Sequence, residues 1–119
     1  MFLPAPDESC WIGLLRLGLR VPGSRSLKDK RRAVSQIRDR LRARHNLSVS
    51  ETGHLEDHGR AILCIALVAN DRRFVQSVLD GISHEVGQWR AALVENASVV
   101  TFRPGDESDE SQYDEWTNG

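Results

Sequence analysis

The stretch "AILCIALVA", residues 61 to 69, is a run of nine apolar residues between Arg60 and Asn70. A short aliphatic run bounded by polar residues predicts a buried β-strand. Side chains alternate between the two faces of a strand. One face would carry Ala61, Leu63, Ile65 and Leu67, and the other would carry Ile62, Cys64, Ala66 and Val68. Because both faces are apolar, both sides of the sheet need cover at this strand.

The rest of the chain predicts three more strands and two helices. The strands are "CWIGLLRLGLRV", "NLSVSETG" and "ASVVTF". Ser26 and Asp29 have the spacing of a capping box, so a helix should begin near Leu27 and end near residues 45–46. Asp71 should cap the second helix. The order β-α-β-β-α-β predicts a ferredoxin-like α+β fold, in which two helices cover one face of a four-stranded antiparallel sheet.

This architecture leaves one sheet face open, whereas the third strand is apolar on both faces. Three kinds of cover are considered: a second copy of the chain, another macromolecule, or the chain's own ends at Phe2, Leu3 and Trp116. A homodimer that packs through the sheet is the first choice, because burial of apolar surface contributes about 25 cal/mol per Å².

The 119 residues suit one domain. We divide them into a Pro-containing arm at 1–9, a domain at 10–103 and an acidic tail at 104–119 that we expect to be disordered. Neither a membrane span nor a signal peptide is expected. Two cysteines, Cys10 and Cys64, suggest a reduced pair on neighbouring strands and a cytoplasmic protein.

Positive charge is concentrated near the first predicted helix. Residues 21–45 contain nine Lys or Arg and two Asp, although the whole chain has a net charge of −1. The tail holds six carboxylates, and residues 10–103 carry about +7. A helix selected only for solubility would mix the two signs, so the cluster favours a polyanionic partner.

We predict that this partner is RNA or a ribosomal subunit. The expected phosphate contacts come from one basic arc of the helix and from the loop before it. They are Arg25, Ser26, Lys28, Lys30, Arg31, Arg32, Arg38 and Arg42. The simpler alternatives are a solvated helix face whose last arginines balance the helix dipole, and a Ser26 that only caps the helix.

The segments "PGSRSLKDKRR", "NLSVSETG" and "RAILCIALVANDRRFVQSVLD" resemble the YlxP-like family of small bacterial proteins of unknown function. The resemblance covers about residues 10–102, and "SLKDKR" is its most specific part. It implies a ferredoxin-like fold, frequent dimers, and genes near those for translation and ribosome-maturation factors. The N-terminal arm and the acidic tail are departures from the family pattern.

No motif indicates catalysis, a cofactor or a metal. His54 and His58 stand four residues apart among acidic residues, but glycines bracket them in a predicted loop without a third ligand in register. The sequence lacks a P-loop, a dinucleotide fingerprint and a nucleophile elbow. A small hydrolase with Arg25 and Asn70 gripping phosphate remains a distant alternative by fold analogy.

The sequence therefore predicts a non-enzymatic accessory protein that binds RNA or the ribosome through its first helix, with ribosome maturation as the expected context. The alternative is a dimeric protein-interaction module in which the basic helix is incidental. Residues 106–115 are expected to fold back over the basic helix when RNA is absent, with a simple solubilising tail as the alternative.

Overall fold

A computed structural model describes residues 3–106. It contains β1 (Trp11–Arg20), α1 (Leu27–Arg44), β2 (Ser48–Gly53), β3 (Arg60–Ala69), α2 (Arg72–Gly87) and β4 (Leu93–Phe102). The β-α-β-β-α-β order and the ferredoxin-like α+β fold are confirmed. In the described part of the chain, neither helix is both long enough and apolar enough to cross a membrane.

The four strands form one antiparallel sheet in the order β2-β3-β1-β4. The apolar strand β3 and the strand β1 therefore occupy the centre. Their register places Leu15 opposite Ile65 and Leu17 opposite Leu63. Of the two edge strands, β2 is mostly polar, which suits a strand with solvent on one side, whereas β4 is mixed and carries apolar residues such as Val100 and Phe102.

The core lies between the sheet and the helices. α1 packs on β2 and β3, and α2 packs on β1, β4 and β3. The buried positions of α1 include Val34, Ile37 and Leu41, which recur at intervals of three or four residues and form one apolar stripe. The odd-numbered residues of the two central strands face this layer, and they are almost fully buried except at the ends, where Trp11 and Ala69 are partly buried.

The opposite face of the sheet is apolar at one end. Its neighbouring rungs join Ile12 to Val68 and Phe102, and Leu14 to Ala66 and Val100. Val68 is 63% exposed, and Val100 and Phe102 are each 38% exposed. Leu3, one of the expected covers, is itself 69% exposed. Phe2 and Trp116 lie outside the described residues.

Two details differ from the sequence prediction. β4 begins at Leu93 rather than at residue 97, because it continues pairing with β1 through an irregularity beside Gly18. The helical period groups Phe74 with Val75 and Leu79 on the apolar side of the second helix, but Phe74 is 54% exposed on α2. Cys10 and Cys64 are both half-buried and free; Cys64 lies on β3, and Cys10 directly precedes the neighbouring strand β1.

Gly13 permits the close approach of α2 to β1. A Cβ atom at this position would lie 2.3 Å from Val75 Cγ1 and 2.6 Å from Leu79 Cδ1. Both neighbours are fully buried core residues with little room to move.

We therefore predict that Gly13→Ala lowers the free energy of unfolding by about 1–3 kcal/mol, because it overpacks the core. Gly81→Ala is the matched control, since no atom lies within 4 Å of a Cβ there and the residue is inside α2. The control should raise stability by about 0.5–1 kcal/mol. Urea denaturation measures both, and equal effects of the two substitutions would contradict the packing argument.

Candidate nucleic-acid interface on the first helix

A capping network fixes the start of α1. Ser26 Oγ accepts a hydrogen bond of 3.1 Å from the Asp29 backbone N–H. The Asp29 carboxylate in turn accepts one of 3.0 Å from the Arg25 backbone N–H. The predicted cap at Ser26 is therefore present, and its oxygen is already in use. Phosphate contact by Arg25 and Ser26 stays a prediction, with the Arg25 side chain exposed beside the cap.

Five basic side chains form one band along α1, which we call the basic arc. It consists of Lys28, Arg31, Arg32, Arg38 and Arg42. At 3.6 residues per turn they span about 120° of the helix surface and about 21 Å of its length. All are exposed except Arg38, which is half-buried. Asp39 is the one acidic residue within the 120° width of the arc, because Asp29 lies outside that width.

The basic arc faces away from α2. Arg40 and Arg44 lie on the opposite flank of α1, and that flank makes the side-chain contacts with Trp89 and Glu85. The arc is thus presented to solvent along the side of the edge strand β2, on which α1 packs.

The basic arc has no ion pair with any carboxylate of residues 3–106. Arg38 instead donates from Nη2 to Ser35 Oγ at 3.1 Å. In contrast, Lys30 and Arg44, which lie on α1 but off the arc, are both paired with glutamates. The positive charge of the arc is therefore uncompensated within the described part of the fold.

Lys30 does not belong to the interface, and its assignment as a phosphate contact is corrected. The residue is 1% exposed and lies in the apolar stripe of α1. Its Nζ is 2.9 Å from Glu51 Oε2 on β2. Nζ also donates to the carbonyl oxygen of His54 at 2.8 Å. A buried and fully engaged ammonium cannot reach a phosphate without breaking these contacts.

The loop between β2 and β3 contains the two histidines that the sequence analysis considered for metal. His54 has a left-handed backbone with φ 55°, and its carbonyl is the one that Lys30 holds. His58 Nδ1 is 3.1 Å from the Ser24 carbonyl oxygen, so this loop contacts the turn before α1. Within the described residues, no group of three potential metal ligands comes together.

Asp57 closes the turn of the same loop. Its Oδ1 accepts a 2.8 Å hydrogen bond from the Gly59 backbone N–H. This bond is the main reason why the pKa of the Asp57 carboxyl is lowered, and the nearby charges of His54, Arg60 and His58 act in the same direction. The group is fully exposed, so its role is local to the turn.

Sequence reasoning missed a second feature of α1, on the flank opposite the basic arc. The Arg40 guanidinium carbon lies 4.3 Å from the centroid of the Trp89 ring. Arg44 pairs with Glu85, and His45 Nε2 lies 3.3 Å from the second oxygen of that carboxylate. The helical period would place Trp89 on the apolar side of the second helix, but α2 ends at Gly87. No local pattern signals a contact between residues 49 positions apart.

Comparison with known proteins identifies one family. The profile described as "Protein of unknown function (DUF503)" matches residues 12–99, which include the basic arc, both helices, all of β2 and β3 and most of β1 and β4. No curated protein matches the chain.

Two solved structures resemble the fold weakly. A structure titled "De novo designed protein Foldit4" has a TM-score of 0.49 and 12% identity, and the match covers 80% of this chain and 98% of that one. A C-terminal segment of the alpha subunit of aIF2 from Pyrococcus abyssi has a TM-score of 0.45 and 17% identity, and the match covers 85% of this chain and 54% of that one. Neither likeness is close enough to bear on function.

The buried Lys30–Glu51 pair generates a stability prediction. Lys30→Met should lower the free energy of unfolding by about 3–5 kcal/mol, because it leaves the Glu51 carboxylate without its partner. The double variant Lys30→Met/Glu51→Leu should recover most of that loss, since no charge then remains unpaired. Urea denaturation of both single variants and the double variant measures the coupling. A double variant as unstable as Lys30→Met would instead assign the effect to the lost hydrogen bond to His54.

Proposed function

The chain belongs to the family described as "Protein of unknown function (DUF503)", and from that premise we propose that it binds RNA, free or within a ribosomal subunit, through the basic arc of α1. It acts by binding rather than by catalysis, and it works where ribosomes are assembled, in the cytoplasm. The finer assignment to the YlxP-like family and to ribosome maturation is part of the same proposal.

The observation that carries the proposal is the unpaired state of the basic arc. Lys28, Arg31, Arg32 and Arg42 are exposed and have no carboxylate partner among residues 3–106. Like charges three or four residues apart on a helix repel one another by a few tenths of a kcal/mol per pair. A polyanion that neutralises the arc relieves this repulsion, and binding is further favoured by the release of counterions condensed on the nucleic acid.

The shape of the arc suits a nucleic-acid backbone rather than a small anion. About 21 Å of helix presents several guanidinium groups in one band, so successive phosphates of a nucleic-acid strand can each contact one basic side chain. Arginine also suits this role because its planar donor fork matches the oxygens of a phosphate. Contacts of this kind position a nucleic acid without reading its sequence.

RNA is a better partner than a base-specific DNA site. Between its basic side chains the arc contains Ser35 and Asp39 but no Asn or Gln, so the arc itself lacks the side chains that commonly read adenine in the major groove. Structured RNA is recognised largely through shape and phosphate contacts. The residues assigned to phosphate are Lys28, Arg31, Arg32, Arg38 and Arg42, with Arg25 and Ser26 at the start of the helix.

A second candidate function rests on the open sheet face. Its apolar end exposes Val68, Val100 and Phe102 to solvent in a single copy of the chain. A dimeric module that pairs through this face would bury that surface. We propose a second copy of the chain as the occupant. The two proposals are compatible, because packing through the sheets leaves both α1 helices on the outside.

The RNA proposal predicts a steep salt dependence. Neutralising about four phosphates gives a slope of about −3 to −4 for the logarithm of the binding constant against that of the salt concentration. Binding of a labelled 20-base-pair RNA hairpin should then weaken about 100-fold between 50 and 200 mM salt. Fluorescence anisotropy measures this change. A slope near zero would favour the protein-interaction module instead.

A triple variant localises the binding surface. Arg31→Gln/Arg38→Gln/Arg42→Gln should abolish hairpin binding at moderate salt, because it removes three of the five arc charges. The matched control is Arg16→Gln/Arg72→Gln/Arg73→Gln, which changes the net charge equally but lies off the arc. Equal loss in both triple variants would show that only the total charge matters, and the arc would not be the site.

The dimer proposal is tested separately by sedimentation velocity. Val68→Glu/Val100→Glu should convert a dimer into a folded monomer, because the change buries unpaired carboxylates in the sheet interface. Phe74→Glu is the matched control, since Phe74 is 54% exposed on α2 and lies in the helix layer. A monomeric unmutated chain at micromolar concentration, or a dimer that survives the double change, would contradict the sheet-to-sheet arrangement.

A further inference from the structure

We infer that a cleft between α1 and the turn after α2 is a pocket for one unpaired nucleotide of the RNA, an inference that rests on the proposed function. The cleft has a volume of about 210 Å³. Its lining combines one aromatic ring, two guanidinium groups, one amide and two apolar side chains. They are Gln36, Ile37, Arg40, Trp89, Arg90 and Ala91.

Trp89 and Arg40 form a preorganised part of the cleft wall. The Trp89 backbone N–H donates to the Val86 carbonyl at 3.1 Å, and the ring packs against the hydrophobic core. Arg40 lies over this ring at 4.3 Å from its centroid. An exposed guanidinium held on an indole has already lost part of its side-chain freedom, so less is lost when a ligand arrives.

The charge of the cleft selects an anion. No carboxylate lines it, and both Arg40 and Arg90 are exposed without an ion pair among the described residues. Glu85, the acidic residue next to this region, is engaged by Arg44 and His45. The positive charge of the cleft is therefore available to a ligand.

The chemistry of the lining fits a nucleotide. Unstacked RNA bases stack on aromatic rings and on arginine planes, and amide side chains bond to base edges. Arg40 offers the plane, Gln36 the amide, and Arg90 a partner for the phosphate. The volume is below the range of about 300–1,000 Å³ typical of small-molecule sites. It suits one base and not a larger cofactor.

The cleft is continuous with the basic arc. Arg32, Gln36 and Arg40 are spaced four residues apart, so they form one ridge that leads from the arc into the cleft. The ridge is about 12 Å long. An RNA strand whose phosphates follow the arc can therefore place one base in the cleft. A fully paired duplex keeps its bases stacked inside, so the pocket favours single strands, bulges and loops.

The test uses the emission of Trp89 in the full-length Trp11→Phe/Trp116→Phe protein, which keeps Trp89 as its sole tryptophan. Titration with a ten-nucleotide oligouridylate should quench this emission in parallel with the anisotropy of a label on the RNA. Arg40→Gln should weaken oligouridylate binding about 5- to 150-fold, the range seen for loss of one base stack. Binding of a ten-base-pair RNA duplex should change little.

Arg72→Gln is the matched control, because it removes the same charge from the far end of α2 and should leave both affinities nearly unchanged. If anisotropy shows oligouridylate binding while Trp89 emission stays constant, the nucleotide pocket is wrong and the RNA proposal stands. If neither RNA binds, the proposed function fails and the pocket fails with it. If polyglutamate quenches Trp89 as strongly as oligouridylate, the cleft binds acidic peptide and the nucleotide assignment is overturned.

Discussion

The orientation of α1 depends on a buried ammonium group. Lys30 lies within the apolar stripe of the helix, where an unpaired charge would be costly, and Glu51 of β2 and the His54 carbonyl compensate it. These contacts tie the first turns of α1 to β2 and to the β2–β3 loop. With Lys30 and the three aliphatic positions turned inward, helical geometry turns Lys28, Arg31, Arg32 and Arg42 outward. The basic arc is thus a consequence of how the inner face is held.

The fold separates two kinds of basic residue. Lys30 and Arg44 connect α1 to other elements through glutamates, and Arg20 and Arg60 approach Glu95 of β4. These pairs belong to the structure of the domain. The residues of the basic arc make no such contact within residues 3–106, and Arg40 is held by an aromatic ring rather than by an acid. The separation matters because a charge without an internal partner keeps its full attraction for an external one.

The two layers of the domain present different chemistry. The helix layer is charged and carries the basic arc and the Trp89 cleft, whereas the open sheet face is apolar at the end formed by Ile12, Val68 and Phe102. A polar ligand and a second copy of the chain would therefore occupy opposite sides of the molecule. The helix layer could therefore bind its ligand while the sheet face stays covered by the second copy.

Sequence by itself determined the element order, the two helix caps, and which side chains of the central strands share a face. These features depend on neighbours within a few residues. Ser26 and Asp71 cap the helices as their spacing predicts. Only the tertiary structure decided which basic side chains are engaged in ion pairs within the described residues and which are exposed to solvent. Lys30 looked like its neighbours in "LKDKRR", and its burial follows from Glu51 lying 21 positions away. The Arg40–Trp89 contact likewise joins residues that meet only when α1 and the turn after α2 pack on one sheet, so the helical period alone could not reveal it.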